Sequence, residues 1–322
     1  MTLEKQQNIL VTGGAGFIGS ALVRVLLDKN YHVMVIDHLN TSNLKSLEHF
    51  FPLDNFEFIK LDLLDENKLK EIVKESDLIF HLAANVDVRK GQLNTDADFL
   101  NNIVATRNVL EAMRTSDRCK KIIFTSSSVV YGEAVEIPTP ENHGPLTPIS
   151  LYGASKLACE ALISGYAGTF GIEGVIFRLA NVVGPTIGHG VIFDFFNKLK
   201  QSKGNNLQIL GDGNQRKSYL YIDDCINALC IGLRKFSSGL EIFNVGSDDQ
   251  IDTNTIAQII IDELRLHPEI SHSSESNNGR GWTGDVKYML LSTERLKKIG
   301  WKNNHSSEEA VRLTAKNIIS HG

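Results

Sequence analysis

A short apolar run, Asn8-Ile9-Leu10-Val11, leads straight into Thr12-Gly13-Gly14-Ala15-Gly16-Phe17-Ile18-Gly19, and no other stretch constrains the fold as tightly. The run reads as a buried parallel strand, and residues 20–29 behind the glycines carry apolar side chains at helical spacing. Gly14, Gly16 and Gly19 satisfy G-x-G-x-x-G, while Gly13, Gly16 and Gly19 satisfy the variant G-x-x-G-x-x-G. Glycines at these places allow a tight turn, close approach of a pyrophosphate and close packing of helix on strand. The phosphates then meet the positive end of the helix dipole. A second apolar run, 32–36, ends in Asp37, about 20 residues past the glycines, where a carboxylate can bind the adenosine ribose hydroxyls. The same charge repels the extra phosphate of NADP, so NAD is the expected cofactor. A glycine pattern alone is also an ordinary strand-to-helix turn; strand, helix and acid together make a dinucleotide site.

Further strand-like runs at 56–60, 78–81, 121–126 and 174–179 alternate with helical stretches. Repeated βα alternation predicts an α/β fold, a doubly wound parallel sheet with ligands at the carboxyl ends of its strands. Those ends carry Asp62-Leu63, Ala83-Ala84, Ser126-Ser127-Ser128 and Asn181, a rim of small or polar residues. Past 181 the texture changes: glycine-rich irregular chain, an amphipathic helix over 193–200, a short strand over 207–210, a helix over 222–236 and a core strand over 242–245. Residues 271–281 are polar, aperiodic and read as a loop. The expected division is a dinucleotide domain of 1–181 with 222–248, and a smaller C-terminal α/β substrate lobe of 182–221 with 249–322.

At 322 residues and a net charge of −5 the chain can bury a large core and has no electrostatic reason to bind nucleic acid or an anionic membrane. Its polar first residues and short apolar runs suggest neither a signal nor a spanning helix. Cys119, Cys159, Cys225 and Cys230 show no metal-ligand spacing, and the ten histidines include no H-x-x-x-H pair. A cytoplasmic protein with reduced thiols and no metal is the expectation.

Ser127, Tyr152 and Lys156 form Ser-x24-Tyr-x3-Lys. On a helix, positions four apart share a face. The ammonium is therefore expected to lower the tyrosine pKa toward neutrality and fit it to exchange a proton with a substrate hydroxyl.

These residues resemble the extended short-chain dehydrogenase/reductase superfamily in its NAD-dependent sugar-nucleotide epimerase/dehydratase branch. The resemblance runs through 12–19, Asp62-Leu63, His81-Leu82-Ala83-Ala84, Asn101-Asn102 with Thr106, 125–132, 152–156, 178–185 and 211–224, essentially the whole chain. It implies a Rossmann domain in which Gly13, Gly16, Phe17, Ile18, Gly19, Asp37, Asp62, Leu63, Ala83, Ala84 and Asn101 contact NAD. Lys156 would bind the nicotinamide ribose beside Tyr152, and Ser127, four residues before Tyr131, would be the catalytic serine. Asn181 would hold a sugar diphosphate, and Gln208, Ile209 and Leu210 would meet the nucleobase through the backbone. Two departures stand out. Lys217, with Arg216 beside it, occupies the position of the family's diphosphate arginine, and Arg280 is displaced from the usual basic position before Gly284-Asp285.

Members that dehydrate or decarboxylate place acids just after the catalytic hydroxyl residue, whereas this chain has Ser128 and Val129. The resemblance therefore implies a 4-epimerase of a UDP-sugar, with a transient 4-keto sugar. A reductase that exchanges its cofactor and a catalytically silent NAD-binding regulator stand as alternatives. Surplus apolar residues over 95–114 and 152–170 further predict a homodimer built on four helices.

Overall fold

The structure, a computed structural model, describes residues 7–85, 93–234, 239–273 and 279–321. In chain order its first elements are β1 (Asn8–Thr12), α1 (Phe17–Asp28), β2 (His32–Asp37), β3 (Phe56–Lys60), α2 (Glu66–Lys74) and β4 (Leu78–His81). A helical turn at Asp96–Asp98 and a π-helical stretch, Phe99–Val104, lead into α3 (Ala105–Thr115). There follow β5 (Lys121–Ser127), α4 (Leu151–Phe170), β6 (Glu173–Leu179), β7 (Asn181–Val183), α5 (Val191–Gln201), β8 (Asn206–Leu210), β9 (Arg216–Lys217), β10 (Tyr219–Tyr221) and α6 (Ile222–Gly232). The last are β11 (Leu240–Val245), β12 (Ile251–Asp252), α7 (Thr253–Leu264), β13 (Glu269–Ser273), β14 (Tyr288–Met289), α8 (Glu294–Lys298) and α9 (Ser307–His321).

The fold is α/β around a seven-stranded parallel sheet ordered β11-β6-β5-β4-β1-β2-β3. Its inner strands β1, β2, β4, β5 and β6 are buried on both faces because alternate residues find different layers. Leu10, Met34, Ile36, Ile79, Ile122, Phe124 and Ile176 join one core with Leu69 and Val73 of α2, Val109, Leu110 and Met113 of α3, and Cys159 and Ile163 of α4. The intervening Ile9, Val11, Val33, Val35, Phe80 and Ile123 are equally buried, as are Leu22, Val23 and Leu26 of α1. Strand order reverses between β1 and β4, both of which pair in parallel register. Such a reversal opens the crevice where α/β sheets take ligands, and both the glycine loop and Ala83 stand at it.

The chain forms two compact units: Met1–Ser126 with Leu151–Phe177 and Leu229–Ile242, and Ser127–Ser150 with Arg178–Ala228 and Phe243–Gly322. The second holds a parallel β7–β10 pair, a parallel β8–β13 pair and the small sheet β12-β9-β14. Its helices α5, α7 and α9 bury Ile192, Phe195, Leu199, Ile256, Ile260, Val311 and Ile318.

Three expectations need correction. The first helix begins at Phe17, three residues before 20, because Gly16 already supplies its extended N-cap. The polar 271–281 stretch is not loop throughout: Ser271, His272 and Ser273 are strand residues of β13, where main-chain pairing with β8 outweighs polar side chains. Residues 274–278 lie outside those described. The helix read over 222–236 closes at Gly232, and 235–238 also fall outside.

Candidate functional site

The glycine loop is shaped by close backbone approach. Gly13 has φ +71°, and a Cβ there would lie 2.8 Å from the main chain of Ala83. A Cβ on Gly19 would stand 2.2 Å from Gly13 O, so helix and loop meet there without room for a side chain. At Gly16 a Cβ would meet just Gly13 O, at 3.2 Å, which marks the open side of the cradle. No side chain caps α1, so the N–H groups of its first turn, Phe17 and Ile18 among them, are left to donate to an anion. These features fit a dinucleotide pyrophosphate.

Asp37 closes the loop from the end of β2. Its carboxylate accepts from Ala15 N (3.1 Å), Leu39 N (2.9 Å) and Ser42 Oγ (2.8 Å). Burial would raise its pKa, but hydrogen bonds from His38, Leu39, Ser42 and Ala15 outweigh that and hold it below the usual carboxylate range. Asp62 is exposed, and its Oδ1 accepts from Leu64 N at 3.0 Å. The Leu63 side chain is buried in the core and its carbonyl takes Asn108 Nδ2, so the residue can offer a ligand its backbone alone. Ala83 N donates to Thr12 Oγ1, and Ala83 and Ala84 are half-buried.

The π-helical stretch inserts a residue into the turn and sends two adjacent asparagines different ways. Asn101 Nδ2 folds back on Ala97 O at 2.8 Å, and Asn102 reaches inward to Ser155 Oγ and Asn85 N, both at 2.8 Å. Beside it His81 links Thr12 and Thr106, and Thr106 Oγ1 donates to Cys159 Sγ. Burial, with Lys156 adding to it, pushes His81 down to about 3, so the ring is neutral.

On α4, Tyr152 and Lys156 do share a face, with Lys156 Nζ 5.9 Å from the Tyr152 ring centroid. The expected lowering of the tyrosine pKa is overturned. Burial, reinforced by Asp98 and Cys159, raises the phenol above its ordinary value. The ammonium instead donates to Thr125 O at 2.9 Å and lies over the Phe124 ring. Burial brings Lys156 itself down to about 8. Sequence reasoning missed Glu160, one turn further on, whose Oε1 accepts from Ser126 Oγ. Its only sequence signal is the continued four-residue step, Tyr152, Lys156, Glu160.

The remaining predicted residues fall in the second unit. Ser127, the last residue of β5, is half-buried, and its Oγ accepts from Val129 N at 3.4 Å. Asn181 Nδ2 donates to Ser218 O at 3.4 Å across the β7–β10 pair. In β8, Gln208 O accepts from Lys198 Nζ and Leu210 O from Gln215 Nε2, while the Ile209 side chain is buried. Lys217 and Arg280 meet at Asp285: Lys217 Nζ pairs with Oδ1, and Arg280 Nη1 donates to the Asp285 carbonyl and to Glu133 Oε1. Arg216 is exposed. Asp285 and Glu133 are the residues sequence reasoning left without a role here, since their partners lie 68 and 147 positions away.

Among the described residues no group of three His, Cys, Asp or Glu is arranged to hold a metal ion, and no helix is long and apolar enough to cross a membrane. The four cysteines are free thiols.

Known proteins similar to this chain share one family and differ in reaction. The profile of the NAD dependent epimerase/dehydratase family matches residues 9–246. A crystal structure of a UDP-galactose 4-epimerase is 39% identical, covers 98% of this chain and 99% of its own, and superposes with a TM-score of 0.87. The UDP-glucuronic acid 4-epimerase of Bacillus cereus, solved with UDP-glucuronic acid and NAD, is 27% identical, covers 98% and 100%, and has a TM-score of 0.88. A UDP-N-acetyl-alpha-D-glucosaminuronate decarboxylase of Bacillus cytotoxicus is 32% identical over 278 residues, 84% of this chain and 82% of its own.

Proposed function

The chain belongs to the NAD dependent epimerase/dehydratase family, an NAD-dependent family of sugar-nucleotide enzymes, and within it we propose that this protein is a 4-epimerase of a UDP-hexose. One observation carries the choice within the family. The positions following Ser127 hold Ser128 and Val129, and neither side chain can deliver a proton as an acid, which dehydration needs and a typical decarboxylase supplies. Inversion at C4 through a ketone requires the 4-hydroxyl to be deprotonated, held and reprotonated while a hydride leaves C4 and returns to the other face, and Ser127, Tyr152 and Lys156 together with NAD suffice for that. The 39% identity to a UDP-galactose 4-epimerase supports the same reading.

NAD, when bound, supplies the hydride acceptor and donor. The cradle of Gly13, Gly16 and Gly19 with the first turn of α1 holds its pyrophosphate, Asp37 the adenosine ribose, and Lys156 the nicotinamide ribose. Tyr152 removes the proton of the sugar 4-hydroxyl and returns it after the transient 4-keto sugar has presented its other face, while Ser127 steadies that oxygen. Burial favours both the neutral phenol and the neutral amine. Proton transfer therefore depends on an ammonium being maintained close to the phenol. Asn181, Lys217 and Arg280 serve the diphosphate, and the backbone of β8 serves the base.

The assembly proposed is a C2 homodimer. Val109, Leu110 and Met113 are core residues and Leu162 and Tyr166 pack against the core, so the surplus apolar face is narrower than the sequence suggests. Phe99 and Leu100 remain 53% and 39% exposed, and Leu151 and Phe170 48% and 44%. Light scattering should return twice the chain mass; a value near 35.7 kDa would reject the dimer.

The reaction is tested by proton NMR of the purified protein with UDP-glucose, UDP-galactose, UDP-N-acetylglucosamine and UDP-glucuronic acid. Conversion between C4 epimers with no accumulation of NADH is expected. Continuous NADH production would point to a dehydrogenase, and no turnover with any sugar would reject the epimerase.

A further inference from the structure

The proton-transfer scheme leaves Glu160 without a task, although it is a carboxylate in an expensive place. It lies one turn past Lys156 on α4, is 5% exposed, and receives Ser126 Oγ at 2.5 Å. A buried carboxylate is tolerated when hydrogen-bonded and set near a cation, and an apolar residue would fill the same space with less loss of hydration. Two polar groups of α4 thus reach the same strand end: Lys156 Nζ binds Thr125 O and Glu160 is held by Ser126.

We propose that Glu160 is a positioning residue: anchored to β5 by Ser126, its negative charge keeps the buried Lys156 amine in the ammonium form. The proposal rests on NAD as cofactor and on Lys156 as its ribose ligand, and not on the identity of the sugar. The groups acting on Lys156 come from every neighbouring element. Tyr152, Cys159 and Glu160 belong to α4, Asp98 to the helical turn before the π-helical stretch, His81 to β4, and the Phe124 ring and Thr125 carbonyl to β5. His81 is neutral and adds no repulsion. Burial drives Lys156 down to about 8, and Cys159, Glu160 and Asp98 oppose it. Both carboxylates are hydrogen-bonded, Asp98 by Asn85 and Asn102 and Glu160 by Ser126, but Glu160 alone stands on α4 itself, one turn from Lys156 on the same face.

The test is NADH binding followed by fluorescence from pH 6 to 10, which requires no sugar turnover. Parent protein should lose affinity as pH rises through about 8, where Lys156 gives up its proton. Glu160→Gln preserves an acceptor for Ser126 and removes the charge. Its midpoint should fall by about one pH unit, with affinity near pH 6 within roughly twofold of the parent. Glu160→Asp, which restores the charge, should return the midpoint toward the parent's. A folded Glu160→Gln protein with an unmoved midpoint, or with the same loss at every pH, overturns the proposal, as does a parent that shows no fall. Should Glu160→Gln fail to fold, Ser126→Ala decides: release of the anchor should move the midpoint the same way by less, and no movement rejects the idea. Absence of epimerisation in the parent would reject the reaction and leave this result standing.

Discussion

Two lysines assigned to ligands, Lys156 and Lys217, have been given opposite surroundings. Lys156 is 3% exposed, with aromatic, carbonyl and thiol neighbours. Lys217 is 22% exposed on its side chain and is ion-paired with Asp285, itself approached by Arg280. A lysine taken out of water becomes a group whose charge is negotiable near neutral pH. One that is half-buried beside a carboxylate has its charge matched by that partner, with the strength of the pair moderated by water and salt. The first arrangement suits a residue that must influence a proton; the second suits one that holds an anion.

The widest break between the two regions is expected at Tyr152. Tyr152→Phe removes the proton carrier from the dry region and should lower turnover roughly 10²–10⁴-fold, with NADH binding retained. No substitution of a single cation in the second unit should approach that. Turnover near the parent's would take Tyr152 out of the mechanism.

Acid should separate the regions next. His81 is held neutral down to about 3, from an ordinary 6.5. Between those values the unfolded chain binds a proton that the folded chain refuses. Stability contributed here is therefore intact above about 6.5 and is lost as pH falls toward 3, by on the order of 5 kcal/mol at the limit. His81→Asn, which keeps a donor and an acceptor, should be less stable at pH 7 but should lose less on acidification. The comparison is thermal melting of both proteins at pH 7 and pH 4.5. Parallel losses would mean that the buried histidine does not govern acid sensitivity.

The two regions also differ in how much of them could be read in advance. The glycine loop, Asp37, Ser127, Tyr152 and Lys156 could be picked out as candidates, and their local setting foreseen, because they stand at fixed local spacing: a turn, a strand end, a helix face. The centre of the sheet was legible because its inner strands are buried on both faces and are nearly continuous apolar runs. Asp285 and Glu133 were not, since Lys217 and Arg280 find them by folding across 68 and 147 positions. The π-helical stretch left no sequence mark, and β13 was hidden because strand pairing with β8 is made by main chain under polar side chains. The direction of the Tyr152 shift also escaped. Spacing puts an ammonium on the same helix face, but burial and the Thr125 carbonyl are tertiary facts.

A smaller effect distinguishes the cations inside the second unit. Lys217→Ala should weaken sugar-nucleotide binding roughly tenfold with little change in kcat, because a charge-assisted contact is lost and Asp285 is left uncompensated. Arg216→Ala, on the exposed neighbour, should change the Michaelis constant less. The assay is steady-state kinetics at two salt concentrations, where the penalty for Lys217→Ala should shrink as salt rises. A larger effect at Arg216 would transfer the diphosphate to that residue.

The smallest effect should come from Asp37, where charge alone can be removed while much of the geometry is kept. Its carboxylate ties together Ala15 N, Leu39 N and Ser42 Oγ, and these bonds hold its pKa below the ordinary range despite burial. The charge therefore persists through mildly acidic pH, and discrimination against NADP should be as strong at pH 5 as at pH 8. Asp37→Asn keeps one oxygen for the loop and loses the charge proposed to meet the adenosine ribose. NAD affinity should drop a few-fold and NADP affinity should rise, so that the ratio of the two narrows without reversing, since no arginine has been supplied to hold the additional phosphate. Titration of NADH and NADPH fluorescence on both proteins measures that ratio. If Asp37→Asn leaves it unchanged, the carboxylate is there for the loop alone, and the preference for NAD has another origin.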